Sequence, residues 1–264
     1  MTTIYEHHTA EVVNPEGDFP VLLLCEHANN RLPVDVPAYL DMDQAFLDSY
    51  HGYDLGIPHV ARRCAYKLGA TLVAGVYSRL LIDLNRHLGA EDLFKEHDDG
   101  IEIPANKGAS DDDIQHRINT YYHPYHEICE KHRKRLQKKY TQPVMFSMHS
   151  FPRHQTGYEA PFPWHFTLHY NSDERVANIV RDYLEKHHTD LHIGNNEPYD
   201  LKQLQTGGGI IHGEDNGLPN LLIEIPNDQM TTAEQVAYWA DICTNILREV
   251  TSRLEEKSRF QSAI

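Results

Sequence analysis

The sequence predicts an α/β protein with a mostly parallel or mixed central sheet and helices on both faces. Short, continuous apolar runs alternate along the chain with longer segments whose apolar residues recur at helical spacing. A continuous apolar run is typical of a strand buried on both faces, and its alternation with helices is typical of parallel α/β architecture. The 264 residues contain no internal repeat, low-complexity tract or long linker, which predicts a single domain over 1–264.

The first half of the chain begins with an apolar run over 19–25, which predicts a buried strand. The next predicted element is the helix over 54–68, and Gly69 follows it where a helix C-cap would fall. After it come strands over 70–76 and 80–82, a polar loop over 92–110 and a long helix over 111–140. Three aspartates open the long helix, where the helix dipole favours negative charge.

The second half continues the alternation of strands and helices. Strands are predicted over 143–148, 166–170 and 221–225, and helices over 174–187 and 232–254. The last helix starts with Thr-Thr-Ala-Glu, which reads as a capping box. Ligands of such sheets bind outside the carboxyl ends of the strands, so polar residues at strand ends are the candidate functional residues.

Composition and charge exclude several classes of function. With 24 Lys and Arg against 39 Asp and Glu, the net charge is −15, whereas nucleic acid and anionic membranes need a cationic face. No apolar run reaches the roughly 18 residues of a membrane span, and the first residues lack the layout of a signal peptide. The four cysteines form no CxxC pair. We therefore expect a cytoplasmic protein that binds neither nucleic acid nor membrane; its oligomeric state stays open.

Two histidines lie at the ends of predicted strands. His27 follows the strand over 19–25, and His149 follows the strand over 143–148. Histidines at the same edge of one sheet can converge on a metal ion, and a catalytic zinc typically takes three His, Asp or Glu ligands and leaves a position for water. The alternatives are a loop that caps the next element and a hydrogen-bonded core histidine.

The segment Ser-Arg-Leu-Leu-Ile-Asp-Leu-Asn-Arg places four polar residues around the predicted strand over 80–82. They are Arg79, Asp83, Asn85 and Arg86. Arginine binds carboxylates in a bidentate manner, and asparagine can add a further donor, so the segment suits an anionic substrate. The alternative is a structural ion pair between an arginine and Asp83.

Glu224 is the single carboxylate inside the otherwise apolar strand over 221–225. A buried, unpaired glutamate has a raised pKa, which suits a general base or acid. The alternative is a salt bridge to one of the arginines. Metal-assisted hydrolysis of an amide in a small carboxylate-bearing molecule accounts for all of these candidate residues together.

The order and spacing of five short motifs resemble the N-formylglutamate amidohydrolase family, in particular a predicted branch that opens with Cys-Glu-His-Ala-x-Asn. The motifs are CEHANNRLP, HGYDLG, YSRLLIDLNR, MHSF and PNLLIEIPND. The resemblance runs from about residue 19 to the terminal helix, and SRLLIDLNR is its most specific part. That family is similar in fold to zinc carboxypeptidases and aspartoacylases, whose Asp-x-Asn-Arg motif recurs here at 83–86.

The resemblance implies a zinc-carboxypeptidase-like fold and a role for each candidate residue. His27 and His149 would be metal ligands, and Glu224 falls on the strand that carries the general-base glutamate of carboxypeptidases. The substrate-binding residues would be Asn85 and Arg86 with Asp83 beside them, and Arg79 would bind a second carboxylate or polarise the scissile carbonyl.

The third metal ligand departs from the carboxypeptidase pattern. Those enzymes use a glutamate three residues after the first histidine, and this chain has Asn30 there, which is a poor zinc ligand. By the same resemblance Asp54 is the expected substitute, with Glu26 and His51 as alternatives.

The resemblance implies zinc or another divalent metal as cofactor and N-formyl-L-glutamate as substrate, hydrolysed to formate and L-glutamate as in histidine breakdown. One alternative is the same chemistry on another N-acyl amino acid or a short peptide, and pocket size would discriminate the two. Another is a metal-free binding protein on the same fold. The segment 195–199 and the glycines at 207–209 suit a substrate-side loop or lid hinge, or ordinary turns.

Overall fold

The computed structural model describes residues 2–34, 36 and 42–262. Their strands are β1 (Thr3–His7), β2 (Ala10–Val13), β3 (Val21–Cys25), β4 (Thr71–Gly75), β5 (His97–Asp98), β6 (Ile101–Glu102), β7 (Val144–Phe151), β8 (Phe166–His169), β9 (Ile193–Asn195) and β10 (Asn220–Pro226). Their helices are α1 (Gln44–Leu47), α2 (Ile57–Leu68), α3 (Asp111–Arg117), α4 (His123–Gln137), α5 (Arg175–His187), α6 (Leu201–Leu204), α7 (Gly208–His212) and α8 (Ala233–Ser262).

Eight strands form one mixed sheet in the order β1-β2-β4-β3-β7-β10-β8-β9. The four central strands β4, β3, β7 and β10 run parallel to one another. Next to them, β2 pairs with β4 and β8 pairs with β10 in antiparallel fashion, and β5 and β6 form a separate hairpin. The predicted α/β class with a mixed central sheet is confirmed.

Apolar side chains cover both faces of the sheet. Every residue of β3 is buried, and its side chains alternate between two core clusters because successive strand residues point to opposite faces. Helices α2, α5 and α8 contribute to the cluster on one face, where Trp239 is among the largest buried side chains. Helix α4 and the π-helical turn Ile118–Tyr122 contribute to the other.

Several predicted elements differ in detail. The segment 80–82 is not a strand: Leu80 and Leu81 lie in a turn, with the Leu81 N–H donating to the Ser78 carbonyl at 3.0 Å. All three residues are buried. A buried turn and a buried strand both require apolar residues, so a short apolar run does not distinguish between them. The predicted helix over 111–140 is interrupted by the π-helical turn, and the loop over 92–110 contains the β5–β6 hairpin.

The start of α8 shows a capping box one residue later than predicted. The Gln235 N–H donates to Thr232 Oγ1 at 3.2 Å, and Gln235 Oε1 accepts from the Thr232 N–H at 3.1 Å. The four cysteines are buried free thiols. Among the described residues, no helix combines the length and the apolar character needed to cross a membrane.

A pair of histidines joins α4 to α7 beside the sheet. His126 Nδ1 lies 2.8 Å from His212 Nε2, and the two rings are stacked with centroids 5.0 Å apart. Burial lowers the pKa of His212 to about 4, with Arg133 acting in the same direction and the carboxylates of Glu26, Glu130 and Asp215 opposing it. The pair is therefore a neutral contact at neutral pH.

This contact predicts a pH-dependent contribution to stability. Because His212 titrates at 6.5 when unfolded and at about 4 when folded, its contribution is complete above pH 6.5 and is lost as the pH falls towards 4. The loss approaches about 3 kcal/mol at most. We expect His212→Gln, which keeps a hydrogen-bonding group without titrating, to make the free energy of unfolding less dependent on pH than in the parent. Urea unfolding at several pH values between 7.5 and 5 measures this, and parallel curves for the two proteins would contradict it.

Candidate active site

Residues from separate motifs meet at the edge of the sheet where the central parallel strands have their carboxyl ends. His27 follows the end of β3, while His149 in β7 and Glu224 in β10 are direct register partners in the parallel ladder. Asp54 precedes α2, and its N–H donates to the His27 carbonyl at 2.9 Å, which fixes the two loops against each other. The sheet topology therefore brings together side chains that lie far apart in the sequence.

His27, Asp54 and His149 form one buried cluster. A nitrogen or oxygen atom from each lies within 4.8 Å of the others. His149 Nδ1 is 2.7 Å from Asp54 Oδ2, and His27 Nδ1 is 3.6 Å from the same oxygen. The two histidines thus direct the same ring nitrogen towards a shared carboxylate.

A second carboxylate holds each of these histidines from behind. His27 Nε2 donates to Asp83 Oδ1 at 2.7 Å, and His149 Nε2 lies 3.1 Å from Glu26 Oε2. Ser147 Oγ lies 2.9 and 2.8 Å from the two oxygens of Glu26 and holds that carboxylate in turn. In metal sites, carboxylates in this position fix the orientation of histidine ligands.

The cluster strongly favours positive charge. Burial alone would raise the pKa of Asp54, yet His27 and His149 hold it well below its usual value. Burial likewise opposes protonation of His149, but hydrogen bonds to Asp54 and Glu26 raise its pKa to about 10. Because three buried carboxylates surround two histidines, a cation is stabilised at this position.

The donor atoms of the cluster fit a zinc ion or a similar divalent cation. Within the described part of the chain, His27 Nδ1 is buried without a hydrogen-bond partner, as a ligand atom would be before it binds a metal. Two imidazole nitrogens and one carboxylate oxygen are a frequent protein ligand set of catalytic zinc. The cluster can therefore hold such an ion.

The other candidates for a third ligand lie elsewhere. Glu26 is on the far side of the His149 ring, and His51 Nδ1 contacts Asp98 Oδ2 at 2.6 Å. Asn30 donates from Nδ2 to the Leu47 carbonyl at 3.1 Å and so points away from the cluster. Of Asp54, Glu26 and His51, Asp54 is the residue that the structure brings to the two histidines.

A cleft of about 340 Å³ opens over the cluster. His27, His149 and Glu224 form one part of its wall. Arg79, Asn85, Arg86, Lys95, Phe151, Tyr199, Leu201, Leu204 and Leu222 are among the other lining residues. A small concave site with polar groups at one end and apolar side chains nearby suits a small-molecule ligand.

The predicted anion-binding segment surrounds Asp83. Arg79 lies 3.5 Å from Asp83 Oδ2 and 3.5 Å from Asp54 Oδ1. Arg86 NH1 lies 3.9 Å from Asp83 Oδ2, and its Nε donates to Asp92 Oδ2 at 2.8 Å. Both guanidinium groups are partly exposed to the cleft, whereas Asp83 is buried behind His27. His27 and the two arginines keep the pKa of Asp83 well below its ordinary value, although burial alone would raise it.

Glu224 is buried, but it is not unpaired. Tyr199 Oη donates to Glu224 Oε1 at 2.7 Å and to Oε2 at 2.5 Å, and His169 Nε2 lies 3.5 Å from Oε2. Burial alone would raise the pKa of Glu224, but its contacts with His169 and Tyr199 and the nearby His149 lower it below its usual value. The predicted raised pKa is therefore wrong, and the partners of Glu224 in the described residues are a tyrosine and a histidine instead of an arginine.

The sequence contains weaker signals for these two partners. His169 lies near the end of the predicted strand over 166–170, much as His27 and His149 follow other predicted strands. Tyr199 lies in the segment 195–199, which was predicted as either a substrate-side loop or a turn. Their contact with Glu224 depends on the pairing of β8 with β10, which periodicity does not reveal.

Gly208, at the start of α7, fits tightly against the site. A Cβ atom at this position would lie 1.6 Å from Glu26 Oε1. The Gly208 N–H donates to Asn85 Oδ1 at 2.6 Å, so the amide oxygen of Asn85 is used within the protein. A glycine is required here because a side chain would displace the carboxylate behind His149.

The fold and the site define an α/β enzyme with a small polar pocket at the carboxyl edge of its sheet. Residues 19–231 match the model of the N-formylglutamate amidohydrolase family, and the chain belongs to that family. The family resemblance predicted from the motifs is confirmed, and membership implies a hydrolase that acts on an amide.

Comparisons with solved structures cover nearly the whole chain. Gene product Atu2144 from Agrobacterium tumefaciens is 25% identical with a TM-score of 0.84, over 94% of this chain and 96% of that one. N-formylglutamate amidohydrolase from Ralstonia eutropha JMP134 is 18% identical with a TM-score of 0.70, over 95% and 99%. A metallo-carboxypeptidase from Burkholderia cenocepacia is 9% identical with a TM-score of 0.40, over 95% and 65%. No curated protein matches the chain.

The tight fit at Gly208 predicts a selective effect of a single methyl group. In Gly208→Ala the new Cβ would overlap Glu26 Oε1, displace that carboxylate and release His149. We expect zinc affinity, measured by competition with a chelating dye, to fall about 10- to 100-fold. Gly209→Ala is the matched control, because the nearest atom to its Cβ would be Asn220 Oδ1 at 3.5 Å. Equal zinc affinities in the two variants would contradict the prediction.

Proposed function

We propose that this protein hydrolyses N-formyl-L-glutamate, or a closely related N-acyl amino acid, with a divalent metal held by His27, Asp54 and His149. One observation carries the proposal: the three donor atoms lie within 4.8 Å of one another, and two of the three residues, His27 and His149, line the cleft that also contains Glu224 and two arginines. Membership of the family supports amide hydrolysis. With this substrate, the enzyme would act in histidine breakdown in the cytoplasm.

When bound at this cluster, zinc would polarise the amide carbonyl and lower the pKa of an attacking water. The protein's contribution is to hold the ligands in place. Asp83 and Glu26 fix the rings of His27 and His149 through their Nε2 atoms. Asp54 is fixed by its own backbone bond to the His27 carbonyl.

We assign the role of general base to Glu224. Because its contacts keep its pKa below the usual value, Glu224 is ionised at neutral pH and can accept a proton. It would take the proton from the attacking water and deliver it to the leaving nitrogen. A C–O bond forms at the formyl carbon, the C–N bond breaks, and the products are formate and L-glutamate.

Arg86 and Asn85 would bind one carboxylate of the substrate, and Arg79 would bind the second or polarise the scissile carbonyl. The two guanidinium groups both lie within 4 Å of Asp83 Oδ2, and both arginines line the cleft. We assign Asp83 to positioning His27 and these arginines, since it is buried behind them. Anchoring the carboxylates converts binding energy into orientation of the amide.

The cleft also favours a second substrate class. A formyl group needs almost no acyl pocket, yet Leu201, Leu204 and Leu222 give the cleft an apolar wall. The same residues would then hydrolyse an amino acid with a larger acyl group. Comparing kcat/KM for N-formyl-, N-acetyl- and N-butyryl-L-glutamate decides between the two substrates.

The metal site predicts the zinc content of four variants. The parent protein, supplied with zinc and desalted, is expected to retain about one zinc ion per chain, since one cluster offers three ligands. His27→Ala, Asp54→Ala and His149→Ala should lose it, measured by elemental analysis. His123→Ala, which removes an exposed histidine from α4, is the control and should keep it. A parent without zinc would instead favour the metal-free binding protein.

The general-base assignment predicts that Glu224→Gln loses activity and keeps its metal. The amide has the same size as the carboxylate but cannot take up a proton, so kcat should fall about 100- to 10,000-fold. Formate release measures the rate, and elemental analysis confirms the zinc. Glu249→Gln, which removes a carboxylate paired with Arg253 on α8, is the control. Full activity in Glu224→Gln would exclude Glu224 as the base.

A further inference from the structure

We propose that Tyr199 and His169 act as positioning residues that hold the carboxylate of Glu224 in its working orientation, an inference that rests on the proposed function. Terminal carboxylate torsions are soft, so a glutamate held only by its backbone presents its oxygens in a broad range of directions. A general base must instead keep one oxygen within hydrogen-bond reach of the proton that it removes. The contacts around Glu224 supply this restraint.

Tyr199 contacts both oxygens of the Glu224 carboxylate. The distances from its hydroxyl are 2.7 and 2.5 Å, so the phenol lies almost symmetrically between Oε1 and Oε2. A hydrogen bond to an ionised acceptor is about twice as strong as one between neutral groups. Rotation of the carboxylate would break one or both of these contacts, and the hydroxyl therefore fixes its plane.

His169 fixes Tyr199 in turn. The histidine is fully buried, and its Nδ1 donates to the Tyr199 carbonyl at 3.2 Å. The two rings are stacked, with centroids 5.1 Å apart and planes inclined by 23°. Nε2, on the other side of the imidazole, lies 2.8 Å from Thr167 Oγ1 and 3.5 Å from Glu224 Oε2. His169 thus contacts the tyrosine, the glutamate and its own strand at once.

The backbone reinforces this arrangement. Thr167 is the register partner of Glu224 in the antiparallel pairing of β8 with β10. Tyr199 lies between β9 and α6, and β9 is attached to the other edge of β8. Strand β8 therefore positions both residues, Glu224 through β10 and Tyr199 through β9, although Tyr199 belongs to a loop. The arginines that would bind the substrate belong to a different element from Tyr199. Removing the Tyr199 hydroxyl should therefore lower kcat more than it changes KM.

Tyr199→Phe tests the proposal, because it keeps the ring stack and the carbonyl contact and removes the hydroxyl alone. We expect kcat for N-formyl-L-glutamate to fall about 10- to 100-fold, with KM and zinc content little changed. The matched control is Tyr140→Phe, which also removes a phenol that contacts a carboxylate, that of Asp18 at 3.1 Å, far from the cleft. The control should keep the parent's kcat.

A double-mutant cycle separates action through Glu224 from direct action on the substrate. Glu224→Asp shortens the side chain and withdraws the carboxylate from Tyr199 while retaining a base. If the hydroxyl acts through Glu224, adding Tyr199→Phe to this variant should lower kcat by much less than it does in the parent. An equal loss in both backgrounds, or no loss in the parent, would overturn the proposal. The proposed function fails on a different result, namely full activity of Glu224→Gln.

Discussion

The site depends on one carboxylate oxygen, Oδ2 of Asp54, which lies between the inner nitrogens of two histidines. Taking carboxylates out of water is costly, and three of them are buried around these two histidines. Each therefore has a partner: Asp54 has the two histidines, Glu26 has His149 and Ser147, and Asp83 has His27 and the arginines. The arginines that would bind the substrate are thus part of the same charge balance that allows the acidic cluster to be buried.

The sheet makes this arrangement possible. Parallel neighbours end at a common edge, so β3, β7 and β10 deliver His27, His149 and Glu224 to one place. The antiparallel β8 then approaches Glu224 from the opposite direction and adds His169 beside it. Glu224 therefore has His149 beside it in the parallel pairing with β7, and His169 on its other side from the antiparallel strand β8.

Much of the fold could be predicted because its central elements have strong local signals. The strand ends at Cys25 and the helix ends at Leu68 with Gly69 as its C-cap, both as predicted, since each pattern has one physical cause, burial on both faces or a left-handed C-cap. The segment 80–82 was misassigned because burial in a turn leaves the same apolar run. The pKa of Glu224 was misjudged for a related reason. Its partners come from strand pairing and a distant loop, which a single chain's periodicity does not encode.

Gly208 touches two different parts of the site. Its N–H binds Asn85 of the proposed carboxylate-binding segment, and its Cα side leaves only enough room for the Glu26 carboxylate behind His149. A displacement of α7 would therefore disturb both partners together. A ligand that displaced α7 on binding to one half of the pocket would change the affinity of the other half, and linkage requires the effect to be reciprocal.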